Sequence, residues 1–165
     1  MQGEGVEIRP VRRNEAAALR ELRLRALGEA PGSFFSSVDS ERDLPMASWE
    51  EWTASEDRVM FVAVQNGEWI GMAGALLPAD KPGTASLRWL WVAPVARGRG
   101  LARRLQQART EWARVRGAVR LELAVAKNNE AVLELWCKLG FTPTGERRTM
   151  ASDPTRTGVF LARPL

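Results

Sequence analysis

Trp89–Leu105, WLWVAPVARGRGLARRL, decides the fold of this chain. Trp89 to Val92 is a short apolar run of β-forming residues closed by Pro94, the pattern of a buried strand that ends in a turn. Arg97, Gly98, Arg99 and Gly100 follow, and an amphipathic helical pattern begins at once. The first N–H groups of a helix have no intrahelical partner and carry the positive end of its dipole, so anions bind there. Gly98 and Gly100 put no Cβ between backbone and ligand, and Arg97 and Arg99 add positive charge. The turn suits a phosphorylated ligand.

Three phosphate-binding designs compete for it. A P-loop needs Gly-Lys-Ser/Thr, which is absent. A dinucleotide fingerprint needs G-x-G-x-x-G; Gly98 and Gly100 fit and Glu122 lies beyond, but Arg103 takes the third place and obstructs close helix–strand packing. Arg97-Gly98-Arg99-Gly100-Leu101-Ala102 fits the third pattern, R/Q-x-x-G-x-G/A. Val92-Ala93-Pro94 precedes it, and Asn128, Ala131, Leu135 and Lys138-Leu139-Gly140-Phe141 match a second pattern, N-x-x-A-x-x-L-Y-x-K-x-G-F. On these two motifs the chain resembles the GCN5-related N-acetyltransferases, more weakly over nearly its whole length.

That resemblance implies an α/β fold: a mixed, mostly antiparallel sheet of six or seven strands flanked by about four helices. It also implies acetyl-CoA as co-substrate and a primary amine, of a small molecule or protein, as acceptor. The amides from Gly98 to Ala102, with Arg97, Arg99 and Leu101, would hold the pyrophosphate. Leu90, Trp91 and Val92 would pair with the pantetheine arm, Val92 offering an N–H to the oxyanion, with Asn128 and Ala131 beside the cofactor.

Working outward, Val6 to Arg9 reads as a first strand, and a helix capped by Asn14 carries Leu19, Leu22 and Ala26 before ending at Gly28. Gly28 to Pro45 reads mainly as loop; its Phe34-Phe35 pair either anchors the loop or lines a substrate cleft. Met46 to Glu56 is a short helix with Trp49 and Trp52 facing the core. Arg58–Gln65 and Glu68–Leu77 form a hairpin about Asn66-Gly67, where Gly71 and Gly74 mark a bulge or close packing. A strand from Ala85 to Val92 follows. The next helix buries Leu101, Leu105, Ala108, Trp112 and Val115, and Arg120 to Val125 is a strand parallel to the previous one. Asn129 caps a last helix with Val132, Leu135, Trp136 and Leu139 as its buried face. Two strands, about Phe141–Met150 and Thr157–Ala162, finish a single domain spanning residues 1–165.

Composition removes other chemistries. The 165 residues include one cysteine and no histidine, which excludes an internal disulfide, the usual zinc sites and histidine-assisted nucleophiles; no metal is expected. The formal charge is +4, and Arg97 to Arg120 holds eight arginines against Glu111 alone. CoA is itself a polyanion and accounts for part of this, while Arg109, Arg114 and Arg116 read as solvent-facing, so no nucleic acid is expected. No apolar run reaches the length of a membrane span and no signal-peptide pattern opens the chain, so a cytoplasmic, membrane-free protein is expected. Dimers are common in the family it resembles, which leaves a homodimer open.

The chemistry departs from that family at one place. Trp136 stands where many members have a tyrosine proposed to protonate the departing thiolate, and this chain has no tyrosine. An indole N–H donates a hydrogen bond but is no acid near neutral pH. Cys137 is the adjacent alternative, with buried packing its ordinary role. Glu122 is the candidate general base, although its alternation with Leu121 and Leu123 equally suits a salt bridge; Glu41 is a weaker candidate.

Overall fold

The computed structural model describes residues 5–30, 37–127, 129–150 and 153–165; Phe34, Phe35 and Asn128 lie outside them. Chain order is β1 (Glu7–Pro10), α1 (Ala16–Glu29), α2 (Val38–Arg42), α3 (Met46–Ala54), β2 (Arg58–Gln65), β3 (Glu68–Leu76), β4 (Thr84–Val92), α4 (Leu101–Val115), β5 (Arg120–Ala126), α5 (Glu130–Lys138), β6 (Thr142–Met150) and β7 (Asp153–Pro164). The strands form one sheet in the order β1-β2-β3-β4-β5-β7-β6. Every neighbouring pair is antiparallel except β4 and β5. Among the described residues no helix is long and apolar enough to cross a membrane.

Local chemistry explains most of these elements. Asn66 and Gly67 both take positive φ, 52° and 77°, as a two-residue hairpin turn requires. α4 follows the apolar stripe of its sequence, with Leu101, Leu105 and Trp112 buried. Gly71 of β3 lets it approach, since a Cβ there would lie 3.2 Å from Leu105 Cδ1 and 3.1 Å from the Trp91 carbonyl. Val92, the partner of Gly71, shares that face, while Trp91 and its partner Met72 point the other way. There the Trp91 ring lies under Arg25 and its Nε1 donates to Glu29, both on α1. α1 and α3 therefore cover the opposite face of the sheet from α4.

Several expectations need correction. The segment after α1 contains α2, capped by the Ser37 hydroxyl, because Glu41 must turn inward to meet Arg23. Only Trp136 of the expected buried face of α5 is buried; Val132 is half-covered, and Leu135 and Leu139 are 54% and 47% exposed. α5 touches the core at one end of its apolar stripe, where Trp136 meets Phe141 edge-on at 5.2 Å. Cys137, one helical step away, is exposed rather than packed. Val115 is exposed as well, and Arg109, expected in solvent, is 1% exposed.

Candidate functional site

The site begins where two parallel strands part. β4 and β5 pair only through Thr84↔Arg120, Ala85↔Leu121 and Ser86↔Glu122. Beyond Ser86, β4 stays with β3 as far as Val92, while β5 stays with β7 along its whole length. The sheet thus opens into a wedge whose walls are Leu87–Val92 and Leu123–Ala126, with no ladder between them among the described residues. Unpaired strand edges present rows of N–H and C=O groups, which an extended amide-bearing ligand can pair with. α4 begins just after one wall and α5 just after the other, so both helix N-termini stand at the carboxyl ends of the parted strands. Ligands of open α/β sheets bind in that position.

A bulge opens the wedge. Met72 pairs with Trp91, but Gly74 pairs with Arg88, so β4 carries one residue more than β3 across this interval. Trp89, inside it, has φ of 61°, a left-handed conformation that costs about 1–2 kcal/mol for a residue with a Cβ. Its ring is held in compensation: Trp52 lies 4.8 Å away, Trp49 6.1 Å, and the Arg23 guanidinium 4.0 Å above it. Aromatic pairs of this kind contribute roughly 0.5–1.5 kcal/mol each, enough to offset the strain. Trp49 and Trp52 are core residues, as their spacing predicts, and their work is to hold the bulge.

The other face of the bulge is closed by Arg109 of α4. Its Nη1 donates to the Gly74 carbonyl at 3.2 Å and to the Arg88 carbonyl at 3.1 Å, and its Nε to Gln106 at 2.6 Å. Those two carbonyls belong to paired residues at one end of the register shift. Burial pulls the guanidinium pKa down to about 9, still high enough to keep it charged at neutral pH. Arg109 sits on the apolar stripe of its helix between Leu105 and Trp112, and that misplaced charge is the sequence signal that marks it.

The turn after β4 matches its sequence reading in backbone and corrects it in side chains. Gly98 and Gly100 have φ of 81° and 78°, and a Cβ at either would meet nothing within 4 Å, so the space above the turn is open. Among the described residues the N–H groups from Gly98 to Arg103 make no backbone hydrogen bond, and no side chain caps α4. Consecutive unpartnered amides at a helix start form a cradle for an anion. Arg97, however, is turned away from it. Its Nε donates to the Val92 carbonyl at 2.9 Å and its Nη2 to Glu29 at 3.0 Å, which ties the end of β4 to the end of α1. Glu29 also accepts from Trp91 at 2.8 Å; that bond, with the help of Arg97, holds its carboxyl below the usual 4.5. Arg99 remains beside the turn, bonded to Gln65 and to the Val95 carbonyl.

A family model described as acetyltransferase (GNAT) family matches residues 19–141, three quarters of the chain. The chain belongs to that family. It is 39% identical over 64 residues to an uncharacterised N-acetyltransferase, YobR of Bacillus subtilis, and spans about a quarter (26%) of that relative's length. Among solved structures, a GNAT acetyltransferase of Streptococcus pneumoniae superposes with TM-score 0.75 at 21% identity, covering 98% of this chain and 99% of that one. A GCN5-related N-acetyltransferase of Kribbella flavida gives 0.74 at 24%, covering 97% and 98%. The yncA structure of Salmonella typhimurium, a putative acetyltransferase with its cofactor acetyl-CoA, gives 0.75 at 21%, covering 98% and 94%. At these identities the superpositions show the fold.

Within the GNAT pattern the second motif needs a shift of register. Counted back from Gly140-Phe141 through Lys138, Trp136 and Leu135, its asparagine falls on Asn129 and its alanine on Val132, not on Asn128 and Ala131. Asn129 is the N-cap residue of α5 at the mouth of the wedge, and among the described residues its side chain makes no capping bond, while Ala131 is exposed. Trp136 fills the tyrosine place of the motif with a buried indole packed on Phe141.

The carboxylates are engaged elsewhere. Glu122 pairs with Ser86 where β4 and β5 are still joined, and its oxygens accept from Lys81 at 2.8 Å and Arg120 at 3.4 Å. Lys81 bridges on to Glu146, and these residues with Thr84 and Thr144 line a shallow polar cleft below the wedge. The salt-bridge alternative thus describes the resting geometry. Glu41 is buried in a bidentate pair with Arg23, both bonds 2.9 Å, and does not reach the wedge.

Proposed function

We propose that this protein transfers an acetyl group from acetyl-CoA to a primary amine. The observation that carries the reading is the wedge between β4 and β5 with the unpartnered amides of Gly98–Arg103 at its mouth. That cradle fits a pyrophosphate, and the walls fit a pantetheine arm, whose amides can pair with the free edge about Leu90, Trp91 and Val92. When bound, acetyl-CoA supplies the activated thioester. The chain's own contribution is to hold it extended, to exclude water with the Trp49–Trp52–Trp89 cluster on one face and α4 on the other, and to offer backbone N–H groups of the strained bulge to a developing oxyanion. Asn129, at the start of α5 on the opposite wall, would bond the cofactor from there.

Among the described residues we assign no side chain the role of general acid. A thiolate whose conjugate acid has a pKa of roughly 8.5 leaves tolerably unaided, whereas a positioned acid contributes about 10²- to 10⁴-fold. A modest turnover number is therefore expected. Thiol release from acetyl-CoA over a panel of amines, with the thermal stabilisation caused by acetyl-CoA measured alongside, tests the proposal. Stabilisation with turnover of an amine supports it. Stabilisation without any turnover favours an acyl-CoA-binding sensor, the reading that the lack of tyrosine motivates, and no stabilisation removes both.

A further inference from the structure

Residues paired across a sheet share a face, and the face opposite α4 can be followed strand by strand. Arg58 and Met60 of β2 lie opposite Leu76 and Gly74 of β3, which lie opposite Ser86 and Arg88 of β4. Ser86 lies beside Glu122 of β5, and Ala124 opposite Phe160 of β7. Arg148 of β6 reaches the same surface, its guanidinium 5.3 Å above the Phe160 ring. This surface adjoins the apex of the wedge, because Arg88 is separated from the last paired residue, Ser86, by Leu87 alone and directly precedes the bulge residue Trp89. An acceptor that meets a thioester held in the wedge from this face passes Arg88.

The charges on this face are unequally satisfied. Glu122 and Glu146 are both taken by Lys81, and Glu122 by Arg120 as well. Arg58 has Asp57 at 3.4 Å and Glu51 at 3.9 Å. Arg88 has a hydrogen bond to the Ser86 hydroxyl at 3.3 Å and Arg148 has the Phe160 ring; among the described residues neither has a carboxylate partner. The Arg88 pKa is lowered first by the protein packed about its exposed side chain and then by the nearby positive charges of Arg148 and Arg58. Two like charges without a counter-ion beside a reaction site are held at a cost that a bound anion removes.

We propose that Arg88 and Arg148 bind an anionic group carried by the amine acceptor itself, a carboxylate or a phosphate, and so select acidic amines over neutral and polycationic ones. The inference rests on the acetyltransferase reading. Guanidinium groups bind planar and tetrahedral oxyanions through paired N–H donors, and binding through the acid leaves the amine free to point into the wedge. Polyamines would meet the same two charges as repulsion.

The test uses acceptors matched except for the acid: amino acids against their carboxamides, phosphorylated amino alcohols against the unphosphorylated alcohols, and linear polyamines. Thiol release at saturating acetyl-CoA is expected to show at least a tenfold higher kcat/KM for the acid of a pair, and the two series distinguish carboxylate from phosphate. Arg88→Ala and Arg148→Ala should each shrink that ratio severalfold through KM of the acid, Arg88→Lys should recover part, and the melting temperature should stay within about 2 °C, as for surface substitutions. Equal use of acid and neutral partners, or a ratio that survives the double variant Arg88→Ala, Arg148→Ala, overturns the inference. If no amine is turned over, the same pairs are titrated calorimetrically into the protein with CoA. Preferential binding of the acid, lost in the double variant, then supports the arginine site while the transferase reading fails; equal binding overturns the site.

Discussion

Replacing Gly100 by glutamate and, separately, by alanine divides the work of the anion cradle into backbone strain and charge. Gly100 has φ of 78°, so any side chain there adopts the left-handed conformation at about 1–2 kcal/mol. Nothing lies within 4 Å of a Cβ at this position, so no steric cost is added. For a chain of this size that is a fall in melting temperature of about 2–8 °C for Gly100→Ala, at roughly 2–4 °C per kcal/mol. Glutamate carries the same strain but sets a negative charge at the start of α4, worth about 0.3–1 kcal/mol in its favour, so ligand-free Gly100→Glu should melt at or slightly above Gly100→Ala. Binding should invert that order. A carboxylate ~4 Å from a phosphate is opposed by about 1 kcal/mol in water and about 4 in a partly desolvated site, and it competes for the same amides. Gly100→Glu should therefore bind acetyl-CoA at least 30-fold more weakly, an estimate from the middle of that range, while Gly100→Ala loses less than fivefold. Calorimetric titration and the acetyl-CoA-dependent melting shift read both quantities. Equal loss in the two variants would refute the charge argument, and full binding by Gly100→Glu would place the phosphates elsewhere.

Three other outcomes follow from the same geometry. Glu122→Gln removes the charge that Lys81 and Arg120 pair with and should cost about 1–3 kcal/mol of stability in urea unfolding, with kcat lowered less than tenfold; a hundredfold loss of kcat in a stably folded variant would instead make Glu122 the base. Glu29 has a carboxyl held below 4.5 by Trp91 and Arg97, so its contribution is present above about pH 4.5 and lost as the pH falls through its lowered folded value. Glu29→Gln should flatten the acid limb of the stability profile, and an unchanged limb would show that these bonds do not persist in solution. Trp136→Phe removes an indole that packs on Phe141 but cannot serve as an acid, so stability should fall by about 1–3 kcal/mol while kcat stays within threefold of the parent. A larger loss of kcat at constant acetyl-CoA affinity would assign the indole N–H a part in the reaction.

Whatever short-range chemistry governs is legible in the chain alone. Asn66-Gly67 makes its hairpin because both residues tolerate positive φ, and Gly98 and Gly100 form the cradle for the same reason. The stripe from Leu101 to Trp112 makes α4 because its period is that of a helix. Motif spacing carried the family, although only a count back from Gly140-Phe141 puts the motif asparagine at Asn129 rather than Asn128.

Whatever depends on partners distant in the chain came from the folded sheet and the helices packed on it. The wedge exists because β4 bulges at Trp89 and stays with β3 while β5 stays with β7, pairings that no local pattern encodes. Arg109 is buried because a register shift between β3 and β4 leaves two carbonyls in need of a donor, and Arg97 leaves the phosphate turn because the end of α1 brings Glu29 to it. Glu122 alternates with apolar neighbours in either of its two readings, and only the position of Lys81 decides between them. Arg88 and Arg148 lie far apart in sequence and in strand order, and only the sheet sets them on one face.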